Sequence, residues 1–273
     1  MKTALFFLLS LFFPASIILA DDNFNFNYDY SYFAADSSRV YVELYYSFNQ
    51  NELTFKKVAG GYEAKGKILL DLYSNKAGKN IIMKELNIPL QVADTVNLKK
   101  ASKLTGQLNM LLDTGSYKLS LKASDYNDKD KTSSSTEEIV IKPIPYDVFT
   151  SSTIQLSSGI YKSNDVNNIF YKNSLEVIPN PSLLFGNNLS KVYYYMEIYN
   201  VKKEYISENY TINISITDLD GKDVKTETKS YNIRGETRVE YGAVDISDIP
   251  SNKYIFFIRA PKRLPSCIPF SRV

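Results

Sequence analysis

Apolar and polar residues alternate along this chain with a period of two. The alternation is clear over residues 24–32, 40–48, 68–72 and 117–123, and it returns at 192–199, 210–217 and 254–258. Successive side chains of a strand point to opposite faces, so each run predicts a strand with one buried face. No sustained helical period is present beyond residue 20, and a short helix near residues 94–104 is the most that we expect. The sequence therefore predicts an all-β fold.

The strand pattern occurs twice. Val42–Tyr45 matches Met196–Tyr199, and Ser116–Ala123 matches Lys253–Ala260. The Pro-containing stretch Lys142–Pro145 lies between the two copies, where prolines cannot donate to a sheet ladder. We therefore predict two tandem immunoglobulin-like β-sandwiches, over residues 21–143 and 144–260.

Two tyrosines open strands directly after small-residue turns. Tyr117 follows Gly115-Ser116, and Tyr254 follows a turn near Ser251. In a tyrosine corner, such a hydroxyl donates a hydrogen bond to nearby backbone. The alternative is that each is a core aromatic residue with a solvated hydroxyl.

The second copy lacks a counterpart for the final strand of the first, Glu137–Lys142. Only residues 261–273 follow Ala260, and three of these are proline. Proline removes a backbone donor, so we expect an irregular tail and a free hydrophobic edge at Tyr254–Ile258, where a partner can add a strand. Either the chain is a truncated or frame-shifted fragment, or a partner donates the missing strand. Cys267 is then a dimer-forming or reactive thiol, or part of a non-native tail.

Missing residue types exclude several chemistries. The chain has no histidine, no tryptophan and one cysteine. It therefore cannot form a Ser-His-Asp or Cys-His nucleophile, a His-ligated zinc site or an intrachain disulfide. The net charge of +2 offers no field for nucleic acid. We expect no catalytic, cofactor-binding or metal-binding residues.

Two acidic clusters were weighed for chemistry. Asp125, Asp128 and Asp130 can supply oxygen ligands for calcium, but the interleaved lysines at 129 and 131 favour a solvated loop. Asp218 and Asp220 can form a carboxylate pair, but Asp220-Gly221 between two alternating runs favours a hairpin turn.

The first twenty residues are typical of a secretory signal peptide. Lys2 precedes an apolar stretch that ends at Ala20, and Asp21 and Asp22 follow it. A membrane anchor is the alternative, at the short end of the required length. No later stretch is long and apolar enough to span a bilayer. We expect an extracytoplasmic protein that is periplasmic, on the outer surface or secreted.

Several spaced patterns resemble one bacterial family. They are the aromatic strand Phe24–Phe33, Gly115-Ser116-Tyr117 with Asp125, Thr153–Leu156, Leu175–Ser182 and Tyr195–Asn200. Together they are similar to the amino-terminal β-region of Gly-Trp-x-Thr-Asp (GWxTD) domain-containing proteins. The resemblance implies a secreted or periplasmic protein without an established activity. The pentad itself lies in a further carboxy-terminal domain of the family, and this chain has no tryptophan to form it.

These observations predict an exported, non-catalytic binding or scaffolding protein, a fragment of a GWxTD domain-containing protein, with a protein or cell-surface partner. One alternative is a carbohydrate-binding module with exposed tyrosines, for which the run Tyr193–Tyr195 is a candidate. Another is a carboxylate-based glycosidase, which needs two carboxylates about 5–10 Å apart in a cleft.

Export is directly testable. Because Lys2 and the apolar run end in a small residue at Ala20, amino-terminal sequencing of secreted material should begin near Asp21. A membrane-retained product that starts at Met1 would contradict the assignment.

Overall fold

The computed structural model describes residues 24–36, 38–96, 103–145, 147–186, 188–201, 209–232, 236–260 and 264–272. Apart from a 3-10 turn at Gln50–Glu52 and single helical positions at Val96 and Val201, the regular structure in these ranges is β, so the predicted all-β class is confirmed. The signal peptide and residues 97–102 of the expected short helix lie outside the described residues. The strands are β1 Phe26–Ala34, β2 Arg39–Asn49, β3 Lys56–Val58, β4 Gly61–Ser74, β5 Lys79–Val92, β6 Lys103–Asp113, β7 Gly115–Asp125, β8 Thr132–Ile141, β9 Thr150–Ser151, β10 Gln155–Lys162, β11 Tyr171–Lys172, β12 Leu175–Pro179, β13 Leu184–Phe185, β14 Lys191–Tyr199, β15 Asn209–Thr217, β16 Asp223–Asn232, β17 Arg238–Asp245, β18 Asn252–Ala260 and β19 Leu264–Arg272.

The strands form four sheets. The first sheet has the order β1-β2-β6. The second sheet has the order β3-β4-β7-β8, and β5 also pairs with β4. The third sheet has the order β11-β12-β10-β14-β17, with β9 also paired to β14. The fourth sheet has the order β13-β19-β18-β15-β16.

The strand order shows the predicted repeat. The path β5-β4-β7-β8 of the second sheet recurs as β16-β15-β18-β19 in the fourth. Likewise, β2 lies between β1 and β6 in the first sheet, as β14 lies between β10 and β17 in the third. The sequence match between residues 116–123 and 253–260 therefore corresponds to strands β7 and β18, which hold the same place in their sheets.

The expectation of a missing last strand was wrong. Residues 264–272 form β19, which pairs antiparallel with β18 along its whole length, from Asn252 opposite Arg272 to Ala260 opposite Leu264. Because β18 also pairs with β15, the edge at Tyr254–Ile258 that was expected to accept a partner strand is occupied.

The prolines of this strand explain the error. Pro265 and Pro269 are four residues apart, so their missing donors fall on the same edge of the strand. The backbone N–H groups on the opposite edge of the strand are all present. The strand can therefore still pair along that edge. The backbone of Cys267 lies opposite Phe257 within this pairing.

The described chain divides into two compact units. Unit 1 contains Phe24, Thr54–Ala93 and Gly115–Val140, and unit 2 contains Asn25–Leu53, Asp94–Thr114 and Ile141–Val273. This division differs from the boundary at residue 143 that the sequence predicted. Whether residues 21–143 fold independently stays a prediction.

In unit 2, the third sheet is buried on both faces. One face packs on the fourth sheet through a core that includes Tyr194, Met196, Ile214 and Phe256, with the rings of Tyr194 and Phe256 5.3 Å apart. The other face places Tyr195 against Phe33 of β1, with ring centroids 5.9 Å apart. Because neighbouring residues of a strand face opposite ways, two successive tyrosines of β14 are buried in different places.

Two local predictions are confirmed. The Tyr254 hydroxyl donates to the backbone oxygen of Pro250 at 2.7 Å, as a tyrosine corner requires. Asp218 caps the β15–β16 turn by accepting the backbone N–H groups of Asp220 and Lys222, and Gly221 supplies the positive φ of 83°. Tyr117, the other candidate for a tyrosine corner, is buried.

Among the described residues, no helix has the length and apolar character needed to cross a bilayer.

Strand β19 should support the fourth sheet. Deleting residues 264–273 removes the β18 pairing and should lower the midpoint of thermal unfolding and promote association through the newly exposed edge. Thermal unfolding and size-exclusion chromatography measure both effects. The full-length variant P265A/P269A is the control and should elute as the parent does, since it restores donors without shortening the strand. A truncated chain that is monomeric and equally stable would show that β19 contributes nothing.

Candidate functional site

A lysine is buried at the meeting point of three strands of unit 2. Lys172 of β11 has 10% of its side chain exposed, and Glu43 of β2 has 6%. The Lys172 Nζ donates hydrogen bonds to Glu43 Oε2 and to Gln155 Oε1, the latter at 2.7 Å from β10. We call these three residues the lysine cluster.

Aromatic rings surround the Lys172 ammonium. Its Nζ lies 4.6 Å from the ring centroid of Phe33, 5.0 Å from that of Tyr195 and 5.8 Å from that of Tyr45. Burial lowers the pKa of Lys172, while the charges of Glu43 and Glu197 act in the opposite direction. A lysine with a depressed pKa is therefore held beside a carboxylate in an almost dry site.

The two copies of the sequence repeat carry the same hydrogen bond here. The Tyr45 hydroxyl donates to Glu43 at 2.6 Å, and the Tyr199 hydroxyl donates to Glu197 at 2.8 Å. Each pair is two residues apart on one strand, so both side chains share a face. Tyr195 adds a bond to Glu197 at 2.7 Å. Burial is the main reason why the pKa values of Tyr45 and Tyr195 are raised, followed by the adjacent glutamates.

A pocket of about 230 Å³ lies beside the lysine cluster. Its lining combines aromatic rings, amides and two carboxylates, namely Phe33, Ala34, Tyr41, Glu43, Gln107, Asn109, Ile169, Tyr171, Lys172 and Glu197. Gln107 Nε2 donates to Asn109 Oδ1, but among the described residues the buried Gln107 Oε1 has no hydrogen-bond partner. A buried acceptor without a partner is unfavourable. The amides of Gln107 and Asn109 and the carboxylates of Glu43 and Glu197 give the pocket a polar wall that suits a small hydrogen-bonding ligand.

A second buried cluster lies on the other face of the third sheet. Glu240 of β17 is 1% exposed, and its Oε1 accepts the hydroxyls of Tyr194 and Tyr231 at 3.1 and 3.0 Å. The Nζ atom of Lys229 lies 3.4 Å from the same oxygen and supplies a positive charge. Burial, then Glu240, raises the pKa values of both tyrosines. Gly242 lies opposite Tyr194, where a Cβ would come within 2.7 Å of the Tyr194 hydroxyl oxygen.

The acidic loops considered for chemistry serve as turns. Asp125 accepts the backbone N–H groups of Thr54 and Asn127, and Asp128 accepts that of Asp130. Within the described ranges, no group of three or more acidic or cysteine side chains is arranged to hold a metal ion.

In the candidate tyrosine run, Tyr194 and Tyr195 are fully buried, and only Tyr193 is partly exposed. Exposed tyrosines lie instead on several elements, at positions 41, 73, 126, 161 and 241.

The sequence did not identify the lysine cluster. Glu43 and Lys172 are 129 residues apart, and Gln155 is 17 residues from Lys172. The available signal was the repeated Glu-x-Tyr spacing at Glu43-Leu-Tyr45 and Glu197-Ile-Tyr199. It places an acid and a tyrosine on one face of a strand, but it does not indicate which cation lies opposite.

Comparisons with known proteins give no family. No family model matches the chain, and no curated protein matches it. Among solved structures, trypsin-activated alpha-2-macroglobulin from Escherichia coli is similar over 90% of this chain and 16% of that one, with 10% identity and a TM-score of 0.28. The β-glucuronidase of Parabacteroides merdae is similar over 87% of this chain and 29% of its own, with 9% identity and a TM-score of 0.24. The chain thus spans less than a third of either protein, and the scores carry no argument about function.

The buried tyrosines predict loss of stability at high pH. Tyr45, Tyr194 and Tyr195 have folded pKa values above the ordinary value of 10.0. The stability that these tyrosines contribute is complete below pH 10. It is lost as the pH rises above 10, because the unfolded chain then releases tyrosine protons that the folded chain keeps. Each of the three tyrosines should lower the free energy of unfolding by up to about 1.4 kcal/mol per pH unit.

As a free amine, Lys172 has a depressed pKa and acts in the opposite direction only up to its ordinary value of 10.5. The slope is therefore measured above pH 10.5, where Lys172 contributes to it neither as an amine nor as an amide. Urea unfolding at a series of pH values measures the slope. Y194F and Y195F should each flatten it, whereas Y126F, which removes the hydroxyl of an exposed ring, should keep it. A slope that is unaffected by Y194F and Y195F would contradict the assignment.

Proposed function

We propose that this chain is an exported, non-catalytic binding or scaffolding protein. Export rests on the signal-peptide pattern of residues 1–20. The resemblance to the amino-terminal β-region of GWxTD domain-containing proteins supports a place in such a protein. The observation that carries the non-catalytic part is that fixed donors engage the carboxylates of Glu43 and Glu240, which are buried, and of Glu197, which is half-buried.

Those donors occupy the carboxylates on both faces of the third sheet. Glu197 Oε1 accepts Tyr195 and Asn173, and its Oε2 accepts Tyr199. Glu240 accepts two tyrosine hydroxyls beside a lysine. A general acid or base must exchange a proton with a substrate, whereas these groups join strands to one another. Their arrangement supports a scaffold.

Saccharide binding is the second candidate, and the pocket beside the lysine cluster favours it. Tyr41 is 36% exposed at the pocket, and an aromatic ring can pack on an apolar sugar face. Gln107 and Asn109 both line the pocket, and their side-chain amides are the kind of group that binds sugar hydroxyls. A pocket of about 230 Å³ is of the size of one or two small polar rings, and the candidate ligand is therefore a short glycan end.

Glycosidase activity is less well supported. Glu43 and Glu197 do line one pocket, as that chemistry requires. However, Glu43 is bonded to Lys172 and Tyr45, and Glu197 to the three donors already described. Neither carboxylate is positioned to give a proton to a glycosidic oxygen.

Titration calorimetry with a panel of soluble glycans tests the saccharide candidate. A glycan that binds should lose at least about tenfold in affinity in Q107L, because that variant removes the amide acceptor from the pocket, a change worth about 1.4 kcal/mol. Y41A should also weaken binding. Y126A, which removes an exposed tyrosine of unit 1, is the matched control and should bind as the parent does.

The same samples test the non-catalytic proposal. Incubation with each glycan should leave it intact, as judged by the release of reducing ends. Hydrolysis that disappears in E43Q or E197Q would overturn the proposal. Binding that is equal in the parent and in Q107L would remove the saccharide candidate and leave a protein or cell-surface partner.

A further inference from the structure

The lysine cluster brings together the three groups that form an amide cross-link. Lys172 supplies an amine, Gln155 a carboxamide and Glu43 a carboxyl group that can move protons. Nζ is hydrogen-bonded to both partners, and Gln155 is fully buried. The 2.7 Å hydrogen bond from Nζ to Gln155 Oε1 holds the amine against the carboxamide, whose reacting carbon is bonded to that oxygen. Holding two groups side by side in this way favours a reaction between them.

The surroundings favour the nucleophilic form of the amine. The Phe33, Tyr45 and Tyr195 rings enclose Nζ, and burial lowers the pKa of Lys172. An ammonium has no lone pair and cannot attack, whereas a neutral lysine amine in a desolvated pocket is an effective nucleophile. The complete burial of Gln155 also limits the access of water to the carboxamide, so hydrolysis competes less.

We infer that Lys172 and Gln155 join in an intramolecular isopeptide bond, with Glu43 as the proton-transfer group. Glu43 first takes a proton from the Lys172 ammonium. The Nζ lone pair then attacks Gln155 Cδ, the protonated Glu43 delivers its proton to Nε2, and the Cδ–Nε2 bond breaks to release ammonia. The ammonia takes up the second proton, which the attacking nitrogen loses as the secondary amide forms. One ammonium and one carboxamide thus give one secondary amide and one ammonium ion, with no oxidation or reduction.

The surrounding structure is suited to both the reaction and its product. Gln155 Nε2, the leaving nitrogen, is directed to the backbone oxygen of Val177 at 3.4 Å. The pocket of about 230 Å³ reaches Lys172 and Glu43 and offers ammonia a way out. The bond would tie β10 to β11, which are separated in the third sheet by β12. Residues 156–171 would then lie inside a closed covalent loop.

Glu43 itself is the alternative electrophile, but it suits the role less well. A carboxylate resists attack more than a carboxamide does, and its consumption would remove the carboxyl group that contacts Nζ. The two outcomes differ in the molecule that leaves, because attack on Gln155 releases ammonia and attack on Glu43 releases water.

Mass spectrometry of the full chain tests the inference. The intact parent should be lighter than its sequence by the mass of one ammonia, and protease digestion should give one branched peptide that contains both Gln155 and Lys172. K172R, Q155M and E43Q should each have the full mass of their sequence. K229R is the matched control, because Lys229 also lies beside a buried glutamate and a tyrosine but has no carboxamide among its described partners; it should keep the cross-link.

The parent alone decides the matter, even where a variant does not fold. A folded parent with full mass and unlinked peptides would show that the cluster is only an ion pair. Loss of water with a Glu43–Lys172 peptide would overturn the role of Gln155. The result does not depend on whether the protein binds a glycan, so the proposed function can fail or hold separately.

Discussion

The bonding of buried tyrosine hydroxyls to glutamate carboxylates is the interaction on which unit 2 depends. The third sheet is covered on both faces, and the successive residues Tyr194 and Tyr195 therefore bury hydroxyls on opposite sides. A buried hydroxyl without a partner is costly. Glu240 meets that need on one face and Glu197 on the other. Lys229 balances the charge that Glu240 brings into the interior.

These polar clusters connect strands that are distant in sequence. The lysine cluster joins β2, β10 and β11, while the Glu240 cluster joins β14, β16 and β17. Replacing one member leaves the others buried and unpaired, which is why breaking such a pair is more harmful than its net contribution suggests. The clusters therefore define which strands meet, in addition to the less directional packing of the apolar core.

Local patterns in the sequence predicted much of the fold. Period-two alternation indicated the strands, and the Asp220-Gly221 turn and the Tyr254 corner were correctly identified because each depends on neighbours within a few residues. Strand β19 was missed because prolines were counted without regard to the edge on which they fall. The candidate site was missed because it is formed by pairing across the sheets, and no local spacing indicates that Lys172 meets Glu43.

The central claim is that the buried carboxylates serve as structural supports. A double-mutant cycle on Glu240 and Tyr194 tests it most directly, with the unfolding free energies of the parent, E240Q, Y194F and the double variant measured in urea. The claim predicts a favourable coupling energy of about 1–3 kcal/mol, as found for buried residues in direct contact. Additive effects, with a coupling energy near zero, would contradict it.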